Sequence, residues 1–216
     1  METFEYVGNP ENKEPMEKYM KNHFPFLGVK APDRKAQSKE WLKLSKALDL
    51  SELFDLVSAN YQRLEREYQY LAIDLCEVNV KRMTWSDLRK YMPLIKEKSW
   101  WDSVDSWRKI FGLYIKKNPQ DKEKVFDAFF KEDNMWMRRV TINLQLMEKE
   151  NTNLEMLVKA IERDLKTDEF FIQKAIGWSL RQYAKVEPQW VMDYVNQRDL
   201  TPFAKKEALK NIEKYL

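Results

Sequence analysis

The chain has 216 residues, 44% of them hydrophobic and 34% charged, with only four glycines. That is enough apolar material for a substantial core rather than a disordered chain, and the scarcity of glycine with the high charged fraction argues against a glycine-punctuated sheet and for long helices with solvated faces. A net charge of +3 excludes a uniformly basic polyanion binder, so any basic footprint must come from asymmetric placement.

The first six residues, Met1-Glu2-Thr3-Phe4-Glu5-Tyr6, carry neither a basic stretch nor an apolar core, and the first ten or so are expected to be loosely held. Helices are predicted over 34–48, 62–80, 85–95, 101–117, 122–131, 135–149, 154–165, 169–183, 188–197 and 203–215, with no convincing strand. Their punctuation is legible: Asp49-Leu50-Ser51 offers a stop and a new N-cap, Asn118-Pro119 breaks one helix before the next, and Thr167-Asp168-Glu169 caps another. Pro188 and Pro202 fall at first helical positions. Helix pairs recur at roughly 35 to 45 residues without a shared consensus, the pattern of a diverged helical solenoid with a concave inner surface. Without a Gly-, Ser- or Pro-rich linker, residues 1–216 read as one domain. No window approaches the roughly 18 apolar residues that span a bilayer, so a membrane partner is not expected.

The densest chemistry lies in Ser99-Trp100-Trp101-Asp102-Ser103-Val104-Asp105. On a helix Trp101 and Asp105 are i and i+4, so an indole and a carboxylate share a face and can act on one bound cation. Adjacent tryptophans diverge by about 100°, so Trp100 and Trp101 cannot both enter the core equally, although tryptophans at helical spacing are most often core anchors. Asp105 reads either as a carboxylate on the lip of the core or as an ion-pair partner for Arg108 or Lys109, with Asp102 competing for the role. Arg138 and Arg139 read as surface ion-pairing residues, or as guanidinium forks that suit a phosphate. Lys174, Trp178 and Arg181 form a stripe at i, i+4 and i+7, a poor core face and a plausible backbone-contact face.

Other chemistries are discounted. The lone histidine, His23, has no partner for a metal pair, and Gly28, Gly112 and Gly177 are isolated rather than part of a phosphate loop, so neither a metal nor a nucleotide cofactor is expected. Cys76, the single cysteine, lies in an apolar helical run and reads as inert core; it excludes an internal disulfide and suits a reducing compartment, with the cytoplasm as the expected location.

Several strings resemble the AlkD family of DNA alkylation-repair glycosylases. They are residues 14–24 (Glu-Pro-Met-Glu-Lys-Tyr-Met-Lys-Asn-His-Phe), Phe26-Leu27-Gly28-Val29, residues 98–105, Trp136-Met137-Arg138-Arg139 and residues 170–181 (Phe-Phe-Ile-Gln-Lys-Ala-Ile-Gly-Trp-Ser-Leu-Arg), in the family's order and across nearly the whole chain. The resemblance implies an all-α, right-handed superhelical solenoid of HEAT-like repeats whose concave basic face holds double-stranded DNA. It implies excision of cationic alkylated purines such as 7-methylguanine and 3-methyladenine, by a monomer without a cofactor. It places the catalytic carboxylate at Asp105, its tryptophan companions at Trp101 and Trp178, and the associated arginine at Arg139. Tyr19, Lys30 and Arg181 match positions near the DNA, where Arg138 and Lys174 would add charge. Two departures stand out. The spacing from Asp105 to Arg139 is about one residue shorter than the family pattern, which leaves Arg138 as a substitute for Arg139, and Met147 stands where a lysine would fit the basic face. The competing readings are a non-catalytic helical-repeat scaffold and a lesion-binding relative that excises nothing.

Overall fold

The glycine-poor, charge-rich sequence folds into helices joined by short turns: a computed structural model describes residues 3–216, and none of these residues forms a strand. Contacts divide the chain into two compact units, Met1–Leu94 and Ile95–Leu216.

In the first unit, α1 (Pro10–Tyr19) opens on Asn9, whose Oδ1 accepts the Glu11 N–H at 3.0 Å. This helix lies outside the predicted set because it buries no residue and carries Pro15 in its interior, so no apolar stripe announces it. Next, α2 (Ala31–Leu44) begins ahead of the predicted 34, with Pro32 in its first turn, and closes in a 3-10 turn at Ser45–Ala47. The predicted helix 62–80 is interrupted. Its first residue ends α3 (Leu50–Gln62), Arg63 is extended, and the chain re-enters helix as α4 (Arg66–Asn79). Gln69 holds that break by donating from Nε2 to the carbonyls of Arg63 at 2.6 Å and Tyr61 at 3.3 Å. Likewise 85–95 is not one helix but α5 (Trp85–Leu88), a 3-10 turn and α6 (Met92–Ile95), since Pro93 has no N–H for the Arg89 carbonyl.

Residues 4–7 are held rather than loose. Tyr6 is buried with Val29, Tyr68 and Leu71, Phe4 packs on its ring edge at 4.8 Å, and Gln37 exchanges two hydrogen bonds with the Val7 backbone. A fully buried acid fixes the turn before α2. Glu67 accepts the backbone N–H groups of Leu27, Gly28 and Val29 at 2.9–3.0 Å, so its charge is met by three donors. At Gly28 φ is +87°, and a Cβ there would fall 2.0 Å from the Asn9 carbonyl oxygen, so only glycine fits.

The second unit contains α7 (Trp101–Lys117), α8 (Lys122–Phe130), α9 (Met135–Asn143), α10 (Leu154–Arg163), α11 (Phe170–Tyr183), α12 (Pro188–Gln197) and α13 (Pro202–Leu209). Alternate members form a row: α7 packs on α9, α9 on α11 and α11 on α13, while α8, α10 and α12 pack against members of that row. Alternation of this kind is what stacked helical hairpins produce, and it is consistent with a helical repeat fold. The core of the row is Val104, Trp107, Phe111, Val140, Ile172, Ile176 and Ala208. Gly177 permits the closest approach. A Cβ there would stand 2.5 Å from Glu207 Cβ and 2.9 Å from the Ala204 carbonyl oxygen.

Two predicted helices run short. Instead of reaching 149, α9 stops at Asn143, because Gln145 turns aside to pair with the Asn153 backbone, donating to its carbonyl at 2.9 Å and accepting its N–H at 2.7 Å. Instead of reaching 215, α13 stops at Leu209, and Asn211 adopts the left-handed conformation at φ 62°.

Candidate active site

The row of alternate helices places the sequence-singled residues of this unit side by side. Trp100 is the extended cap residue before α7, which puts Trp101 in the first turn and Asp105 one turn on, on the same face. Neither Trp100 nor Trp101 is the core anchor; that is Trp107, which is fully buried, whereas both others are half-buried. Trp100 packs edge-on against Trp136 at 5.8 Å and Phe171 at 5.1 Å, and Trp136 and Phe171 lie 5.0 Å apart. An aromatic trio drawn from the starts of α7, α9 and α11 thus lies beside the carboxylate's helix.

Asn134 caps α9 through its side chain, accepting from the Trp136 and Met137 N–H groups at 3.0 and 3.3 Å, and so sets the phase of the two arginines that follow. They diverge. Arg138 turns to Asp164 at 3.2 Å. Burial pushes the Asp164 carboxyl above its ordinary value, against the pull of Arg138 and Arg163. Arg139 turns the other way and is 2% exposed. Its Nε donates to Asp105 Oδ1 at 3.0 Å, its Nη2 to Oδ2 at 2.8 Å, and its Nη1 to the Phe171 carbonyl at 2.7 Å. The guanidinium carbon lies 5.9 Å from the Phe171 ring and 6.0 Å from the Trp178 ring. The shortened spacing from Asp105 therefore does not prevent Arg139 from reaching it, and Arg138 is committed elsewhere.

Asp105 thus finds its partner on α9, across the helix row, and keeps 19% of its side chain exposed. A carboxylate clamped through both oxygens by a buried guanidinium and still open to solvent is a fixed anion that can face a cation without reorganising.

The remaining candidates are distributed differently. Lys174 is exposed, with its ammonium 5.7 Å from the Phe170 ring. Arg181 is engaged with α13, donating from Nη1 to Glu207 Oε2 at 2.7 Å and to the Glu207 carbonyl at 3.0 Å, and these bonds hold the Glu207 carboxyl below its ordinary value. Met147 is exposed just beyond α9. Tyr19, at the end of α1, and Lys30, at the cap of α2, are exposed in the first unit.

Sequence reasoning missed Phe171 and Trp136, which adjoin motif residues, and Arg108, considered only as a local ion-pair partner. The missed signal for Arg108 was an arginine between Trp107 and Ile110 at the start of an apolar run, a position that burial rather than solvent governs. Among the described residues no group of three His, Cys, Asp or Glu is placed to hold a metal ion, and no helix is long and apolar enough to cross a membrane.

A model of the DNA alkylation repair enzyme family matches residues 1–212. The chain is also similar to the solved structure of a predicted DNA alkylation repair enzyme from Enterococcus faecalis, with 46% identity over 98% of this chain and all of that one, at a TM-score of 0.96. No curated protein matches the chain. The match over almost every residue, with that structural likeness, establishes that the chain belongs to the DNA alkylation repair enzyme family.

Proposed function

We propose that this protein is a DNA glycosylase that hydrolyses the N-glycosidic bond of cationic alkylated purines, such as 7-methylguanine and 3-methyladenine, in duplex DNA. The observation that carries this reading is the Arg139 clamp on Asp105, a fixed and solvent-reachable carboxylate whose guanidinium partner lies about 6 Å from the Phe171 and Trp178 rings. Alkylation at N7 or N3 leaves the purine positively charged. When the bond to C1′ breaks, the base takes the bonding pair and departs neutral, and positive character passes to the deoxyribose. Asp105 faces that developing charge, and Arg139 fixes its position before the reaction begins. Water adds to C1′ and gives up its proton, leaving an abasic sugar in an intact strand. Trp101 and Trp178 offer indole faces to the sugar and backbone, where their quadrupoles favour partial positive charge.

Because the leaving group supplies its own activation, neutral lesions such as uracil are poor substrates in this scheme. Bulky cationic adducts are tolerated, since the lesion is engaged through its backbone rather than in a closed pocket. The test is base release from duplex DNA containing 7-methylguanine, measured by chromatography for the wild type and Asp105→Asn. Release by the wild type with a loss on the order of 10²-fold or more in the variant supports the reading. Salt-sensitive binding without release by either protein refutes it in favour of lesion binding.

A further inference from the structure

The helix that carries Asp105 carries a second, unanswered cation. Arg108 stands one turn on, is 8% exposed, and makes neither a hydrogen bond nor an ion pair among the described residues; its Nε is fully enclosed with no acceptor. Its guanidinium lies over the next turn of the same helix, with Nη1 at van der Waals distance, 4.0 Å, from where a Cβ on Gly112 would stand. The charged groups whose fields reach Arg108 are Asp105 and Arg139. Those two are already paired with each other, so one positive charge in the trio is uncompensated. One turn along α9 from Arg139, the buried Asn143 repeats the pattern: its Oδ1 accepts from Ser179 at 2.9 Å, while its Nδ2 has no acceptor.

An enclosed donor without an acceptor is costly, and a charged one more so, because its hydration has been removed and nothing replaces it. Burial accordingly lowers the Arg108 pKa, and the field of Arg139 adds to that, against Asp105. Arg108 also sits in the wrong place for a chemistry that grows positive charge beside Asp105, unless an anion arrives to neutralise it. We propose that Arg108 is an anion-binding residue of this site and receives a phosphodiester oxygen of the bound DNA backbone on its Nη groups, which, unlike Nε, are not enclosed. The anion's source rests on the DNA glycosylase reading above; the recognised chemistry is a phosphate oxygen.

The test uses Arg108→Gln, Arg108→Lys and Arg108→Met of the full chain, with folding checked by circular dichroism. Binding of a labelled duplex is followed by fluorescence anisotropy across salt concentrations. Loss of one phosphate contact makes the slope of log affinity against log salt shallower by about 0.9 in Arg108→Gln, and Arg108→Lys restores it. Separately, inorganic phosphate is compared with chloride at equal ionic strength. Phosphate raises the Tm of the wild type and leaves that of Arg108→Met unchanged, and Arg108→Met without phosphate melts above the wild type because an unpaired buried charge is gone. Salt-dependent duplex binding with the same slope in Arg108→Gln as in the wild type overturns the anion site and leaves the glycosylase reading intact. Phosphate stabilisation that requires Arg108, with no duplex binding, keeps the anion site and refutes DNA as its source.

Discussion

The Arg139–Asp105 pair makes a prediction whose size follows from its burial. Arg139 spends three charge-assisted hydrogen bonds, two on Asp105 and one on the Phe171 carbonyl, and is almost wholly enclosed. Replacing it with Ala strands the Asp105 charge and leaves the Phe171 carbonyl unmet; replacing Asp105 with Asn leaves a buried guanidinium facing a neutral amide. Breaking a buried pair from one side costs about 3–5 kcal/mol. Because Asp105 keeps 19% exposure and can rehydrate, Arg139→Ala belongs at the lower end, about 3 kcal/mol, whereas the Asp105 variant leaves the more enclosed partner behind. The double variant removes both charges, so its cost falls short of the sum of the singles by about 1–3 kcal/mol. The assay is urea unfolding at neutral pH followed by tryptophan fluorescence. Six of the eight tryptophans, Trp100, Trp101, Trp107, Trp136, Trp178 and Trp190, lie in the second unit and report its melting. Single variants costing under about 1 kcal/mol, with additivity within about 0.5 kcal/mol, would show that the clamp is not tight and refute its role as a rigid anion holder.

Three further predictions concern contacts that hold each unit's own frame. Gly177→Ala would drive a methyl against the Glu207 Cβ and the Ala204 backbone, neither of which can swing away, so it should cost about 1–3 kcal/mol in urea unfolding and lower base release by displacing Trp178 and Arg181. Glu67→Gln puts an amide NH₂ among backbone donors; a loss of about 2–3 kcal/mol and faster hydrogen exchange at Leu27, Gly28 and Val29 are expected, and unchanged protection there would contradict the assigned role of the carboxylate. Glu207 is held below its ordinary value of 4.5 by its bonds to Arg181, so its contribution to stability is complete above 4.5 and is lost as the pH falls through its lower folded value. Glu207→Gln should therefore narrow its stability deficit to the wild type as the pH falls through that window, which thermal melts from pH 6 to pH 3 in steps of about one unit would show.

Much of the second unit was legible because its helices obey the apolar period: 101–117 and 188–197 coincide with α7 and α12, and 154–165 and 169–183 differ from α10 and α11 only at their ends. What escaped was set by long-range side-chain bonds that no local window contains. Gln69 reaching the Arg63 carbonyl breaks a stretch that reads as continuous helix, and Gln145 turning to Asn153 ends α9 early. The first helix was hidden for the opposite reason, since a polar segment that buries nothing has no period to read. At the site, spacing marked Asp105 and two adjacent arginines, but choosing between the arginines required knowing which way each faced, and adjacency alone puts them about 100° apart on different neighbours. Once Asn134 fixes the phase of α9, Arg138 meets Asp164 and Arg139 meets Asp105, and the choice is made by geometry. Arg108 is the sharper lesson. A charge one turn from a carboxylate reads as its partner, yet the carboxylate is satisfied from another helix, and the arginine left over becomes the group with a binding capacity to spare.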